Sequence, residues 1–144
     1  MQTIKKNFHG EVERFIDVCK EVIGGNLRSI ILFGSIARGE YTEWSDMDFC
    51  IVVKKRDKGG EFNLKLKIRE LFGKHTDIIF REEEEMLYLL KINSSVDLDI
   101  FNDGICVHGE DVILKHNHMF NEVVAVNHLI HRSDLGKGVW EYGY

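Results

Sequence analysis

The sequence predicts an α+β domain in which a small mixed β-sheet is flanked by helices. Apolar runs at residues 29–33 and 49–53 lack polar alternation, which is typical of central strands covered on both faces. Apolar residues recur at helical spacing at residues 4–23 and after the second run, which indicates packing helices. The length of 144 residues fits one domain with a real core.

The first half of the chain is predicted to alternate between helix and strand. Its elements are, in order, a helix at 4–23 closed by Gly24-Gly25-Asn26, a strand at 29–33, a short helix after Gly34-Ser35, a strand at 49–53 and a polar loop at 54–60. The basic residues of that loop are expected to be solvated, as is usual for a charge run after a strand.

The second half adds two strands and several helices. Its predicted elements are a helix ending near Gly73, a strand at 76–80, a helix opened by the acids at 82–85, a break at 93–95, a short helix at 96–101, a turn at 102–104 and a strand at 105–107 that ends at Gly109. Residues 112–130 again show helical spacing, although 123–126 also fit a strand.

Composition restricts the class of protein. No apolar run approaches the length of a membrane span and the N-terminus has no signal-peptide core, so we expect a cytoplasmic protein with no membrane partner. The net charge of −5 argues against stable binding of duplex nucleic acid, which normally needs a basic face. The three cysteines have no Cys-x-x-Cys spacing and are expected to be reduced core thiols.

Two carboxylates open the strand at 49–53. Asp46 and Asp48 are two residues apart, so in a strand their side chains lie on the same face. Like charges that close together repel and raise each other's pKa. A divalent metal offsets this repulsion, and carboxylate oxygens are ligands that Mg²⁺ takes while it also binds phosphates. The pair therefore predicts a Mg²⁺ site.

The turn at Gly34 and Ser35 is the candidate phosphate site. Backbone N–H groups of a glycine turn and of a helix start lack internal partners and favour anions. Together with the two carboxylates, this turn predicts a site for a metal and a nucleoside triphosphate. Arg38 either contacts a phosphate or pairs with Glu40 or Glu43.

These motifs resemble a known family. The run Gly34-Ser35-Ile36-Ala37-Arg38-Gly39, followed by Ser45-Asp46-Met47-Asp48 and by Asp77 on a later strand, is similar to the minimal nucleotidyltransferases of the DNA polymerase β-like superfamily. Several of these are antitoxins encoded beside HEPN-domain ribonuclease toxins. The resemblance covers about residues 26–109 and implies the polymerase β-like nucleotidyltransferase fold.

The resemblance also implies roles for individual residues. Gly34 and Ser35 hold the β- and γ-phosphates, and Asp46 and Asp48 bind Mg²⁺. Asp77 completes a two-ion site and accepts the proton of the attacking hydroxyl. Asp97 and Asp99 also stand two residues apart and are the alternative source of the third carboxylate.

The implied reaction transfers a nucleoside monophosphate, AMP from ATP, to a hydroxyl acceptor with release of pyrophosphate. The implied acceptor is a tyrosine of a HEPN-domain toxin. Two alternatives stay open. One is an antitoxin that acts by binding without catalysis, and the other is transfer to a small molecule such as an antibiotic, for which the chain has little room. Assembly as a homo-oligomer is also open.

The remaining residues suggest no second catalytic site. Residues 1–109 are assigned to the nucleotidyltransferase domain with its N-terminal helix, and residues 110–144 to a helical extension with an aromatic tail, which either covers its own core or docks on a partner. His128 and His131 have the spacing of ligands on a helix. No acid or cysteine nearby in the sequence completes a zinc set, so we expect surface or interface histidines.

Overall fold

The structure is a computed structural model that describes residues 6–40, 45–135 and 139–143. A four-stranded sheet has the order β3-β2-β1-β4. β1 pairs antiparallel with both β2 and β4, whereas β2 and β3 are parallel. The four strands are β1 (Leu27–Phe33), β2 (Met47–Val53), β3 (Thr76–Arg81) and β4 (Ile105–Gly109). The predicted α+β fold with a mixed sheet is thereby confirmed.

Helices cover both faces of the sheet. They are α1 (Lys6–Ile23), α2 (Ser35–Arg38), α3 (Lys58–Phe72), α4 (Glu83–Lys91), α5 (Ser95–Asp103), α6 (Val112–Lys115) and α7 (Asn117–Val126). The predicted helix start at residues 4 and 5 lies outside the described residues. Within the described ranges, no helix is both long enough and apolar enough to cross a membrane.

The sheet divides the core into two layers. On one face, α1 and α3 pack against the sheet, and the ring of Phe15 stacks on that of Phe49 with 3.8 Å between centroids. On the other face, buried residues of α4, α5 and α7 pack together, including Phe101 and Phe120. All seven residues of β2 are buried, as expected of a strand without polar alternation.

The predicted loop at 54–60 was partly wrong, because α3 begins inside it at Lys58. Arg56 forms ion pairs with Glu61 at 2.8 Å and with Glu85 at 3.0 Å. The backbone N–H of Asp57 also donates to Glu61. These contacts hold the chain against α4 and allow the helix to begin two residues after Arg56, across the two glycines.

The C-terminal segment is not one helix. α6 and α7 are separate, and the helix pattern ends before β5 (Leu129–His131), which pairs with β6 (Trp140–Tyr142). His128 has a φ of 52°, a left-handed conformation that ends a helix. Residues 123–126 are helical, so the strand alternative for them was wrong.

Trp140 ties this hairpin to the rest of the chain. Its ring packs edge-on against Phe120 with 6.5 Å between centroids. Its indole N–H donates to Asp99 Oδ1 at 2.8 Å. Trp140 therefore packs against the second core layer of its own chain. The tail residues 136–138 and Tyr144 lie outside the described residues.

Candidate active site

The turn after β1 brings the backbone of Gly34 against Asp48. Gly34 has a φ of 80°, and a Cβ built on it would lie 2.4 Å from Asp48 Oδ2. Any side chain here would therefore clash with the carboxylate, and the positive φ would strain it further. Glycine at this position lets the turn and the carboxylate share one small space.

Strand pairing places Asp48 between the other site elements. It lies opposite Phe33 of β1, the residue before Gly34, and beside Asp77 of β3. Neighbouring residues of paired strands project to the same face of a sheet, so Asp48 and Asp77 project on one side. Asp48 is only 4% exposed, whereas Asp77 is exposed. The glycine turn and the two carboxylates therefore lie at one end of the sheet.

Asp46 directly precedes β2 and has a partner that the sequence analysis missed. Its Oδ1 lies 3.0 Å from His75 Nδ1, and its side chain is 42% exposed. His75 stands immediately before β3. Because Met47 pairs in parallel with Thr76, the preceding residues Asp46 and His75 also lie side by side. The signal in the sequence that could have identified His75 was its position immediately before the predicted strand that carries Asp77.

The three predicted carboxylates share the end of the sheet but do not converge on one point. Among the described residues, three ligand atoms within 4.8 Å of one another occur at Asp99, Asp103 and His131, and Asp46, Asp48 and Asp77 do not form such a group. Their chemistry still fits Mg²⁺, because the set consists of hard carboxylate oxygens. The missing Cβ of Gly34 makes room for the Asp48 carboxylate itself.

Arg38 is held by acids of its own chain. Its guanidinium contacts Asp103 at 2.7 Å and Glu40 at 3.2 Å. Burial alone would lower the pKa of Arg38, but its hydrogen bonds and charge interactions with Asp103 and Glu40 outweigh that effect and raise the pKa. The pairing with Glu40 is thus present, Glu43 lies outside the described residues, and contact with a phosphate stays a prediction.

The alternative third carboxylates have other contacts. Asp97 is fully buried and accepts hydrogen bonds from Arg81 at 3.1 and 3.2 Å and from Ser94 at 2.8 Å. Asp99 accepts the indole N–H of Trp140. Both acids therefore serve the packing around α5. By contrast, Asp77 lies next to Asp48 on the sheet.

His131 lies in a group that the sequence did not suggest. The expectation that no acid completes a set with His131 was based on its sequence neighbours, yet α5 supplies Asp99 and Asp103 from about thirty residues away. One carboxylate oxygen of Asp103 accepts a hydrogen bond from the guanidinium of Arg38, and the other accepts one from the side-chain amide of Asn102. This group therefore belongs to an internal network that joins α2, α5 and the C-terminal hairpin.

A family model and a curated relative match most of this chain. Residues 12–101 match the model of the nucleotidyltransferase domain family. A protein of Methanocaldococcus jannaschii, classed by inference as a protein adenylyltransferase, is 34% identical over 93 residues. The match covers 65% of this chain and 90% of that relative.

Solved structures share the fold. One is a toxin–antitoxin crystal structure with AMP-PNP, with a TM-score of 0.56 and 20% identity over 80% of this chain and 90% of that one. Another is a tri-AMPylated HEPN toxin of Shewanella oneidensis in complex with MNT antitoxin, with a TM-score of 0.53 and 16% identity over 80% and 87%. Since the family model spans more than half of the chain and the archaeal relative is matched along most of its length, the protein belongs to the nucleotidyltransferase domain family.

Proposed function

We propose that the protein is a protein adenylyltransferase that transfers AMP from ATP to a hydroxyl of a HEPN-domain toxin and acts as its antitoxin. The observation that carries this proposal is the pairing of Asp48 beside Asp77, with the Gly34 turn against Asp48. The inferred class of the archaeal relative and the toxin–antitoxin assemblies that share the fold support the choice of acceptor.

In this reaction the acceptor oxygen forms a bond to the α-phosphorus of ATP. The bond from the α-phosphorus to the oxygen that bridges to the β-phosphate breaks, and pyrophosphate leaves. The acceptor hydroxyl gives its proton to Asp77, which is exposed and therefore accessible to a partner. The Gly34-Ser35 turn positions the β- and γ-phosphates, so that the protein contributes mainly alignment and charge.

Asp46 and Asp48 would hold Mg²⁺, and Asp77 would complete a two-ion site. A bound ion would offset the charge of the triphosphate and polarise its oxygens. The role of the protein is to present carboxylates at the end of two parallel strands, beside a turn without a side chain. Action in the cytoplasm stays a prediction, supported by the free state of the described cysteines, Cys19, Cys50 and Cys106, because thiols stay reduced there.

Binding of ATP is expected to require Mg²⁺ and Asp46, because uncompensated carboxylates repel the triphosphate. In calorimetric titrations, chelator should abolish detectable binding, and Asp46→Asn should weaken it by about tenfold or more, equal to roughly 1.4 kcal/mol. The matched control is His75→Ala, which removes the contact to Asp46 but keeps the carboxylate. Equal affinity with and without Mg²⁺ would remove the metal from the proposal.

Asp77→Asn is expected to reduce turnover more than ATP affinity, because a base acts mainly in the transition state. Mass spectrometry of the purified HEPN partner after incubation with ATP should show the mass of added adenylyl groups. The rate should fall by about 10²-fold or more with Asp77→Asn. A wild-type protein that binds both ATP and toxin but leaves the toxin unmodified would instead establish the antitoxin that acts by binding alone.

A further inference from the structure

A cleft beside Asp77 carries a charge opposite to that of the protein as a whole. The cavity has a volume of about 270 Å³ and is bounded by α3, the turn after α3 and β3. Its lining includes the cations Lys65, Arg69 and Lys74, against the one carboxylate of Asp77. The chain has a net charge of −5, so this basic patch is a local exception next to the proposed base.

Arg69 differs from the other arginines. Arg14, Arg28, Arg38, Arg56, Arg81 and Arg132 each have a carboxylate within 4 Å. Within the described ranges, neither Arg69 nor Lys74 forms an ion pair, and both are exposed. Arginine that is not engaged by its own chain is a common anchor for anionic partners.

The cleft also runs along the outer edge of β3, the side on which no described strand pairs with it. β3 is at the edge of the sheet, with β2 on one side and no described strand on the other. Thr76, Asp77 and Ile78, three consecutive residues of β3, line the cavity. An edge strand presents backbone N–H and C=O groups to which an extended peptide can pair. Leu66, 54% exposed, adds an apolar contact on the opposite wall.

We propose that this cleft binds an extended acidic segment of the acceptor protein alongside β3. This inference rests on the proposed function and specifies its acceptor. The backbone of the segment pairs with the edge of β3, and its acidic side chains contact Arg69, Lys74 and Lys65. A hydroxyl residue in this segment then lies next to Asp77. The cleft thereby selects acceptors by charge and by extended conformation.

Direct peptide binding tests the inference without any transfer step. The probe is a fluorescein-labelled peptide with a central tyrosine, one valine on each side and two glutamates beyond each valine, measured by fluorescence anisotropy. We expect binding that weakens with added salt. The peptide with glutamines in place of glutamates should bind at least about tenfold more weakly. A version with prolines in place of the valines lacks two backbone N–H donors and has a restricted backbone, so it should bind at least about tenfold more weakly.

The protein variant that tests the charge is Arg69→Glu, with Lys67→Glu as its matched control on the same helix. Lys67 is exposed but does not line the cleft. Arg69→Glu should weaken binding of the glutamate peptide by about tenfold or more and should favour a peptide with lysines in place of the glutamates. Lys67→Glu should have little effect on either affinity. Melting temperatures of both variants should match the wild type, because both side chains are exposed.

Three results would overturn the inference. They are equal binding of the glutamate and glutamine peptides, equal effects of the two variants, and a loss of ATP affinity in Arg69→Glu with peptide binding unchanged, which would assign the cations to the nucleotide. Failure of AMP transfer with intact charge-dependent peptide binding would count against the proposed function alone. Transfer to a toxin with no charge-dependent peptide binding would count against the cleft alone.

Discussion

Asp48→Asn is expected to reduce the rate of AMP transfer by about 10³-fold, the largest effect of any substitution considered for the site. The carboxylate is buried beside the Gly34 turn and is paired in register with Asp77, so the neutral amide removes a charge from a site that bulk solvent hardly reaches. If Asp48 holds Mg²⁺ as proposed, its loss would remove several kcal/mol of transition-state stabilisation, and about 4 kcal/mol corresponds to that factor. Initial rates are measured by mass spectrometry of the proposed HEPN-domain acceptor.

Two measurements make this result specific. Asparagine has nearly the shape of aspartate, so the melting temperature should stay within a few degrees of the wild-type value. Asp17→Asn on the exposed face of α1 is the matched control and should transfer AMP at the wild-type rate. A rate for Asp48→Asn within about threefold of the wild type would contradict the assignment of Asp48 to the reaction.

Trp140→Ala is expected to produce the largest loss of stability. The side chain packs against Phe120 and the second core layer and donates a hydrogen bond to Asp99. Truncation of a packed tryptophan costs about 3 kcal/mol. For a domain of this size the melting temperature should fall by roughly 10 °C. Thermal unfolding followed by circular dichroism measures the shift.

Two further variants separate packing from polarity at this position. Trp140→Phe keeps most of the packed area but removes the indole N–H, and it should cost about 1 kcal/mol. Tyr142→Ala changes the same strand where the side chain is 55% exposed, and it should cost less than about 1 kcal/mol. If Trp140→Ala melts at the wild-type temperature, the hairpin does not stabilise the core. The indole ring of Trp140 would then be free to contact a partner instead.

The sheet could be predicted because its strands carry a strong local signal. β1 and β2 are apolar on both faces, and this pattern identified them within about two residues at each end. The short strand β5 has no such signal. Leu129, Ile130 and His131 form a strand only because β6 pairs with them. That pairing depends on the left-handed turn at His128, which a helical pattern conceals.

The relative positions of the candidate site residues were predictable where sequence order and strand pairing agree. Asp48 and Asp77 were identified from motif order, and the parallel register sets them side by side. Of the two acids that contact Arg38, Glu40 was predicted from its position in the sequence. Asp103 was not predictable, because it is 65 residues away and reaches Arg38 only through the packing of α5. The same limit applied to His131, whose two acids come from α5. Local patterns carry no information on such long-range contacts.

The two halves of the site differ in how readily their backbone opens. The Asp48 half stands on β1 and β2, the central strands, and all of β2 is buried. Asp77 stands on the edge strand and is exposed. Amide protons around Asp48 should therefore exchange with solvent only when most of the domain unfolds, whereas those around Asp77 should exchange through small local openings. In the proposed reaction, the nucleotide side would keep its shape, and the acceptor side would be the part that a bound partner orders.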